Sequence, residues 1–233
     1  MIEIIDLSQE IYAEMPVYKS LPNVKMTVYA THEQWDKIHN PTTVTPSVYK
    51  LEMSEHTGTH VDAINHMGME FSEQSIDKMP LSMFYTKGIC LDFSNKGLSE
   101  LIEVDDITEA CKQANLTIEK GDTVLLYTNH YKKHFGTESW ENGPGISIEA
   151  AYFLGEKGIS AFGVETMSPG IPKISNKEVH QICGKLGFTH YENMVNLDQL
   201  IGRGRFQFIA LPLKIRGGTG SPVRAVAIFE NSK

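Results

Sequence analysis

Ser147-Ile148-Glu149-Ala150-Ala151-Tyr152-Phe153-Leu154-Gly155-Glu156-Lys157-Gly158-Ile159-Ser160-Ala161-Phe162-Gly163-Val164 contains a helix followed by a strand. Ser147 stands where an N-cap hydroxyl belongs, the helix ends near Lys157, and Gly158 lies just past it. Ile159 to Val164 then reads as a short strand. Just upstream, Gly121-Asp122 turns into a strand over Thr123–Thr128. Downstream, Ser175-Asn176-Lys177-Glu178 reads as a capping box, opening a helix from Asn176 to about Leu186 that stops at Gly187. Farther out, Gly88–Phe93 reads as a buried strand, and Asp105 or Asp106 caps a helix running to about Ala114. Ile2–Ile5, Val24–Tyr29, Val48–Met53 and Phe188–Val195 add strands. Phe206–Ile215 and Val223–Glu230 are strands joined by the Gly217-Gly218-Thr219-Gly220-Ser221-Pro222 turn. With no helix between them, that last pair should be antiparallel. Strands outnumber helices and the helices fall mid-chain, so the expected fold class is α/β: a single domain over residues 1–233 with a mixed β-sheet. Thr31–Pro46 and residues 129–145 read as long loops of the kind that often bind ligands.

Composition bounds the function. The 233 residues suffice for a sizeable core, and 41% apolar with 21% charged residues is ordinary for a globular chain. A formal net charge of −8 disfavours nucleic acid and anionic membrane as partners. Cys90, Cys111 and Cys183 are odd in number and form no CxxC, which suits free thiols in a reducing compartment. The first residues carry acids where a signal peptide needs bases, and no run approaches the length of a membrane span. The expected location is therefore the cytoplasm. There is no GxSxG elbow, P-loop, HExxH or complete dinucleotide fingerprint.

The strong chemical signal is Ser54–Gly68. His56, His60, Asp62 and His66 are spaced four, two and four apart, with no Lys or Arg among them. On a strand all four would share one face; on a helix His56 and His60 would be neighbours. Gly58 and the β-branched Thr57, Thr59 and Val61 favour an extended segment or tight loop. Such a set suits a divalent metal rather than a solvated strand edge. His56, His60 and Asp62 would leave an open position where an ion lowers the pKa of water. His66 would then be free as general acid or base.

The stretch His56-Thr57-Gly58-Thr59-His60-Val61-Asp62-Ala63-Ile64-Asn65-His66 resembles the HxGTHxDxPxH pattern of the metal-dependent cyclase family. That family includes the bacterial-type kynurenine formamidases (arylformamidases) and the isatin hydrolases. Asp6-Leu7-Ser8, Met15-Pro16, Ser75–Leu81, Pro144–Ser147, Ala210–Leu213 and Ser221–Ala225 match it in the same order, over nearly the whole chain. The resemblance implies a swivelling β/β/α domain. It also implies His56, His60 and Asp62 as ligands of a first ion and His66 as catalytic acid/base. His180 and Glu192, twelve residues apart, would complete a second site, with Zn2+ or Mn2+ as the one or two ions. Glu165, at a strand end, is a weaker candidate. Ile64 stands where the family usually has Pro, which should loosen the turn before His66. Trp35 and Trp140 are candidates for holding a substrate ring only because they lie in the long loops.

The expected function is metal-dependent hydrolysis of a C–N bond in an amide or cyclic amide, with a small-molecule substrate. Ester or lactone hydrolysis, a biosynthetic cyclisation on the same site, and a non-catalytic metal- or small-acid-binding protein are the alternatives. The resemblance also implies a homodimer or homotetramer.

Overall fold

The computed structural model describes residues 1–39 and 46–230. The chain begins with β1 (Ile2–Asp6), then β2 (Lys25–Ala30), α1 (His32–His39) and β3 (Val48–Glu52). The stretch expected as a loop over Thr31–Pro46 thus holds a helix at its start; residues 40–45 lie outside the described residues. β4 (His60–Asp62) follows, then β5 (Tyr85–Asp92).

The middle of the chain alternates strand and helix. β6 (Leu101–Ile102) leads to α2 (Val104–Ala114), then β7 (Thr123–Tyr127) and a short α3 (His130–His134). β8 (Gly145–Ile146) precedes α4 (Ile148–Glu156), β9 (Ala161–Val164), α5 (Asn176–Leu186) and β10 (Thr189–Glu192). β11 (Phe206–Ile209), β12 (Gly220–Pro222) and β13 (Val226–Glu230) close the chain. The residues 129–145 expected as loop therefore contain α3 and a 3-10 turn at Trp140–Asn142.

Among the described residues, nine strands form one sheet in the order β1-β13-β11-β5-β7-β9-β10-β4-β12. β5, β7, β9 and β10 are parallel neighbours. The connections through α2, α4 and α5 are long enough to allow this. Their runs, such as Val124-Leu125-Leu126 and Ala161-Phe162, are fully buried, as a sheet covered on both faces requires. β11, β13 and β1 extend one edge antiparallel; β4 and β12 extend the other. The expected α/β class and mixed sheet hold, and β11 and β13 pair antiparallel as expected.

Three local expectations change. The helix α2 starts earlier: Glu103 is its N-cap, and Asp106 accepts the Glu103 N–H at 2.8 Å. Ser175 is the N-cap residue of α5, which runs Asn176–Leu186 and ends at Gly187 as expected, but its side chain makes no capping hydrogen bond. Its buried hydroxyl accepts from Ile171 N–H and donates to the Ile146 carbonyl, satisfying backbone groups that have no access to water. The expected turn Gly217–Pro222 contains β12, because the β4 edge needs a partner and Gly220–Pro222 pairs with Asp62–His60.

Candidate metal centre

The site forms where β4 is inserted between β10 and β12. Register places Glu192 opposite His60 and Tyr191 opposite Val61. Residues directly opposite in an antiparallel pair share a face, so His60, Asp62, His190 and Glu192 stand together on one side. Val61 and Tyr191 face the other side, where Tyr191 packs edge-on against Phe208 with ring centroids 5.1 Å apart. Helix α5 presents His180 to the polar face. Only His60–Asp62 of the expected quartet is strand; His56 lies in the preceding turn, and His66 ends a 3-10 turn at Ile64–His66.

Hydrogen bonds fix the imidazole tautomers. His60 Nδ1 lies 2.9 Å from the Gly58 carbonyl and His180 Nδ1 lies 2.7 Å from the Asn176 carbonyl. A carbonyl only accepts, so both Nδ1 atoms carry a proton, and in the neutral imidazole each Nε2 turns its lone pair to the site. The Thr219 hydroxyl donates to Glu55, so it must accept from His56 Nε2, 2.9 Å away. His56 Nδ1 is then left facing Asp62 Oδ1 at 2.8 Å, two electron-rich atoms that call for a cation or proton between them.

The remaining spacings are longer. His60 Nε2 is 3.4 Å from Asp62 Oδ1 and 3.4 Å from Glu192 Oε2. His180 Nε2 and His66 Nε2 are 3.5 and 3.7 Å from Asp62 Oδ2. Nitrogen and carboxylate oxygen ligands at about 2.0–2.2 Å from a shared tetrahedral ion stand about 3.4 Å apart, so these residues fit a divalent metal. Two compact ligand groups result: Asp62 with His180, His190 and Glu192, and His56 with Asp62 and His66.

Burial would raise the Asp62 carboxyl, but the charge of His190 and contacts from His180, His190 and His56 outweigh it and hold the group well below the usual range. Burial opposes protonation of His60, yet Asp62 and Glu192 raise it overall. Burial lowers the His66 imidazole despite the attraction of Asp62.

All six residues expected in the site, His56, His60, Asp62, His66, His180 and Glu192, line one cavity of about 200 Å³. Its far wall is Pro16, Val17, Tyr18 and Leu21, with Met167 beside them. Glu165 does not join them. Its buried carboxylate accepts the Thr128 N–H and hydroxyl at 2.7 and 2.8 Å and the His130 N–H at 3.2 Å, and so holds the backbone after β7. Trp140 stacks on His130 with centroids 5.1 Å apart, and neither it nor Trp35 lines the cavity; the aromatic ring there is Tyr18. The turn at Ile64 is not loose: His66 N–H bonds Ala63 O at 3.0 Å, Met67 N–H bonds Ile64 O at 3.0 Å, and Asn65 N–H bonds Gln74 O at 3.1 Å. His190, on the same polar face, is a ligand-type residue that the sequence alone did not single out. The signal was the period of two along Phe188–Val195, which puts His190 on the same face as Glu192.

Residues 5–170 match the model of the family described as "Putative cyclase". The chain belongs to this family. It is 30% identical over 228 residues to a kynurenine formamidase of Bacillus cereus, covering 96% of each chain. Its fold superposes on isatin hydrolase A from Labrenzia aggregata with a TM-score of 0.83 at 25% identity, over 97% of this chain and 93% of that one. A structure described as a predicted metal-dependent hydrolase from Bacillus stearothermophilus matches at TM-score 0.73 and 25% identity, over 98% of both chains. All three cysteines are free, and among the described residues no helix is long and apolar enough to cross a membrane.

Proposed function

We propose that this cyclase-family chain hydrolyses the C–N bond of a small amide or cyclic amide with the help of one or two divalent ions, and that His66 moves the proton. The hydrolase class follows from its relatives, the formamidase above all. The observation that carries the reading is the convergence of His56, His60, Asp62, His66, His180 and Glu192 on one cavity.

Zn2+ or Mn2+ would polarise the substrate carbonyl and lower the pKa of an attacking water towards neutrality. His56, His60 and Asp62 would hold one ion; Asp62, His180 and Glu192 would hold the other. His66 suits proton transfer because its side chain, 39% exposed, is the most accessible of the site histidines in ion-pair range of Asp62. Its imidazole is held neutral, so it can take a proton and pass it to the leaving nitrogen. A cavity of about 200 Å³ is smaller than sites for drug-sized ligands, about 300–1,000 Å³. It selects a compact substrate, with its apolar body against Val17, Tyr18 and Leu21 and its amide over the histidines. An arylformamide such as N-formylkynurenine and a lactam such as isatin are the first substrates to try.

A homodimer or homotetramer accompanies this reading. In the β2–β3 ribbon, Val28 pairs with Tyr49 and Met26 with Leu51. These side chains share one face, and Val28, Tyr49 and Leu51 are each about half exposed. A two-stranded ribbon with a bare apolar face is marginal by itself and is well suited to burial against a second copy. A cytoplasmic location is supported by the three free cysteines.

The test is metal analysis of the purified chain, with turnover of an amide panel before and after chelation. Activity should vanish with EDTA and return with Zn2+ or Mn2+. His66→Ala should keep its ions and lose about 10²–10⁴-fold in kcat. No turnover of any amide in any metal state would sink the proposal. Loss of an ion in His66→Ala would instead make His66 a ligand, as its grouping with His56 and Asp62 allows.

A further inference from the structure

His190 sits behind the cavity rather than in it. Its side chain is 0% exposed, and neither ring nitrogen has a hydrogen-bond partner. Burying a polar atom without a partner is costly, so a native core seldom keeps one without a use. What faces Nε2 is Asp62 Oδ2 at 3.2 Å and Glu192 Oε1 at 3.3 Å, and neither contact has hydrogen-bond geometry. His180 Nε2, its lone pair bared by the bond to Asn176, stands 3.5 Å from the same Asp62 oxygen. One ligand atom from each of Asp62, His180, His190 and Glu192 lies within 4.8 Å of all the others.

We infer that His190 is a fourth protein ligand, and that Asp62, His180, His190 and Glu192 form a closed cage for one divalent ion. The inference rests on the metal-dependent reading above and assigns unequal roles to its two ions. The contacts of 3.2, 3.3 and 3.5 Å match three of the six edges of a tetrahedron with bonds of about 2.0–2.1 Å, the geometry of four-coordinate Zn2+, and the other edges lie within 4.8 Å. Two imidazoles and two carboxylates fill such a site and leave no position for water or substrate. The caged ion is then a permanent part of the floor. It fixes Asp62 and Glu192, whose other oxygens face His60 at 3.4 Å. The open coordination position belongs to the ion on the His56–His60 side, which alone meets the substrate. Asp62, His180 and Glu192 line the cavity beside His56, His60 and His66, and His190 closes the cage from behind.

The test follows ion retention, not activity. Wild type, His190→Leu and His56→Ala are loaded with Zn2+, challenged with graded chelator, and their bound zinc is counted. The most tightly held ion should survive in His56→Ala and be lost in His190→Leu, with affinity down at least ~100-fold. Retention of that ion in His190→Leu overturns the cage, while the metal-dependent reading stands if wild type still binds zinc. Wild type binding no zinc overturns the cage, and wild type binding neither zinc nor manganese removes both readings. A measurement on the unaltered chain guards against a variant that does not fold: the most tightly held Co2+ should give tetrahedral visible bands unchanged by azide. Bands that shift with azide show an open position there and overturn the inference.

Discussion

Ile64 and Gly220 show how much of the site depends on single side chains. Ile64 opens the 3-10 turn that delivers His66, and its N–H is not a donor among the hydrogen bonds of that turn. Ala63 before it has φ −83° and ψ 156°, the extended conformation that a following proline requires. The family's proline should therefore fit this chain. Ile64→Pro is expected to change stability by no more than about 1 kcal/mol, the lost burial of Ile64 offset by a stiffer unfolded chain, and to leave bound metal unchanged. Denaturant melts and metal counting check this; a loss of several kcal/mol would mean that the turn depends on the isoleucine. Gly220 acts through space instead. A Cβ there would meet His56 Cε1 at 2.7 Å, so the bare backbone of β12 is what lets the His56 ring stand upright beside Asp62.

At the scale of elements, each secondary-structure piece brings one part of the site. The β4–β10 register sets two pairs of ligand-type side chains on one face, and α5 lowers His180 onto them. Glu165, at the end of β9, serves the scaffold instead and holds the turn after β7. Glu165→Ala should strand the Thr128 and His130 donors and cost about 3 kcal/mol, with metal content intact. Glu165→Gln keeps an acceptor and should cost under about 1 kcal/mol. Burial raises the Glu165 carboxyl, so the wild-type side chain is the less favourable one once ionised. The balance between wild type and Glu165→Gln should therefore move towards the variant as pH rises through the carboxyl range. Urea melts at several pH values read this directly. Loss of metal from either variant would return Glu165 to the site.

At the scale of the molecule, the parallel strands β5, β7, β9 and β10 form a buried core, and the reactive groups gather at its β10–β4 edge. The exposed face of the β2–β3 ribbon lies outside that core. Tyr49→Lys with Leu51→Lys should convert an oligomer into a folded species of 26.1 kDa, seen by light scattering with an unchanged circular dichroism spectrum. A wild type that already runs at 26.1 kDa would remove the ribbon as an interface.

The amino-acid sequence alone determined the main strands and helices from Gly88 to Val195 (β5, α2, β7, α4, β9, α5 and β10) but not β6, α3 or β8, because local periodicity, caps and glycine stops are short-range signals that the shortest elements lack. It also pointed to six candidate site residues that the structure gathers around one cavity: four through the spacing within Ser54–Gly68, and His180 and Glu192 through resemblance. It placed Glu165 among the candidates because the family resemblance implies an acid there, at a strand end, and it could not see that Thr128 and His130 claim that carboxylate. Only the tertiary structure decided which face β10 turns towards β4, and with it the position of His190 against Asp62. That choice depends on pairing between strands far apart in the chain (Glu192 opposite His60, beside β12), and no local pattern records such a pairing. The residues at Ser54–Gly68 supplied ligand-type side chains; the insertion of β4 between β10 and β12 arranged them as a candidate site.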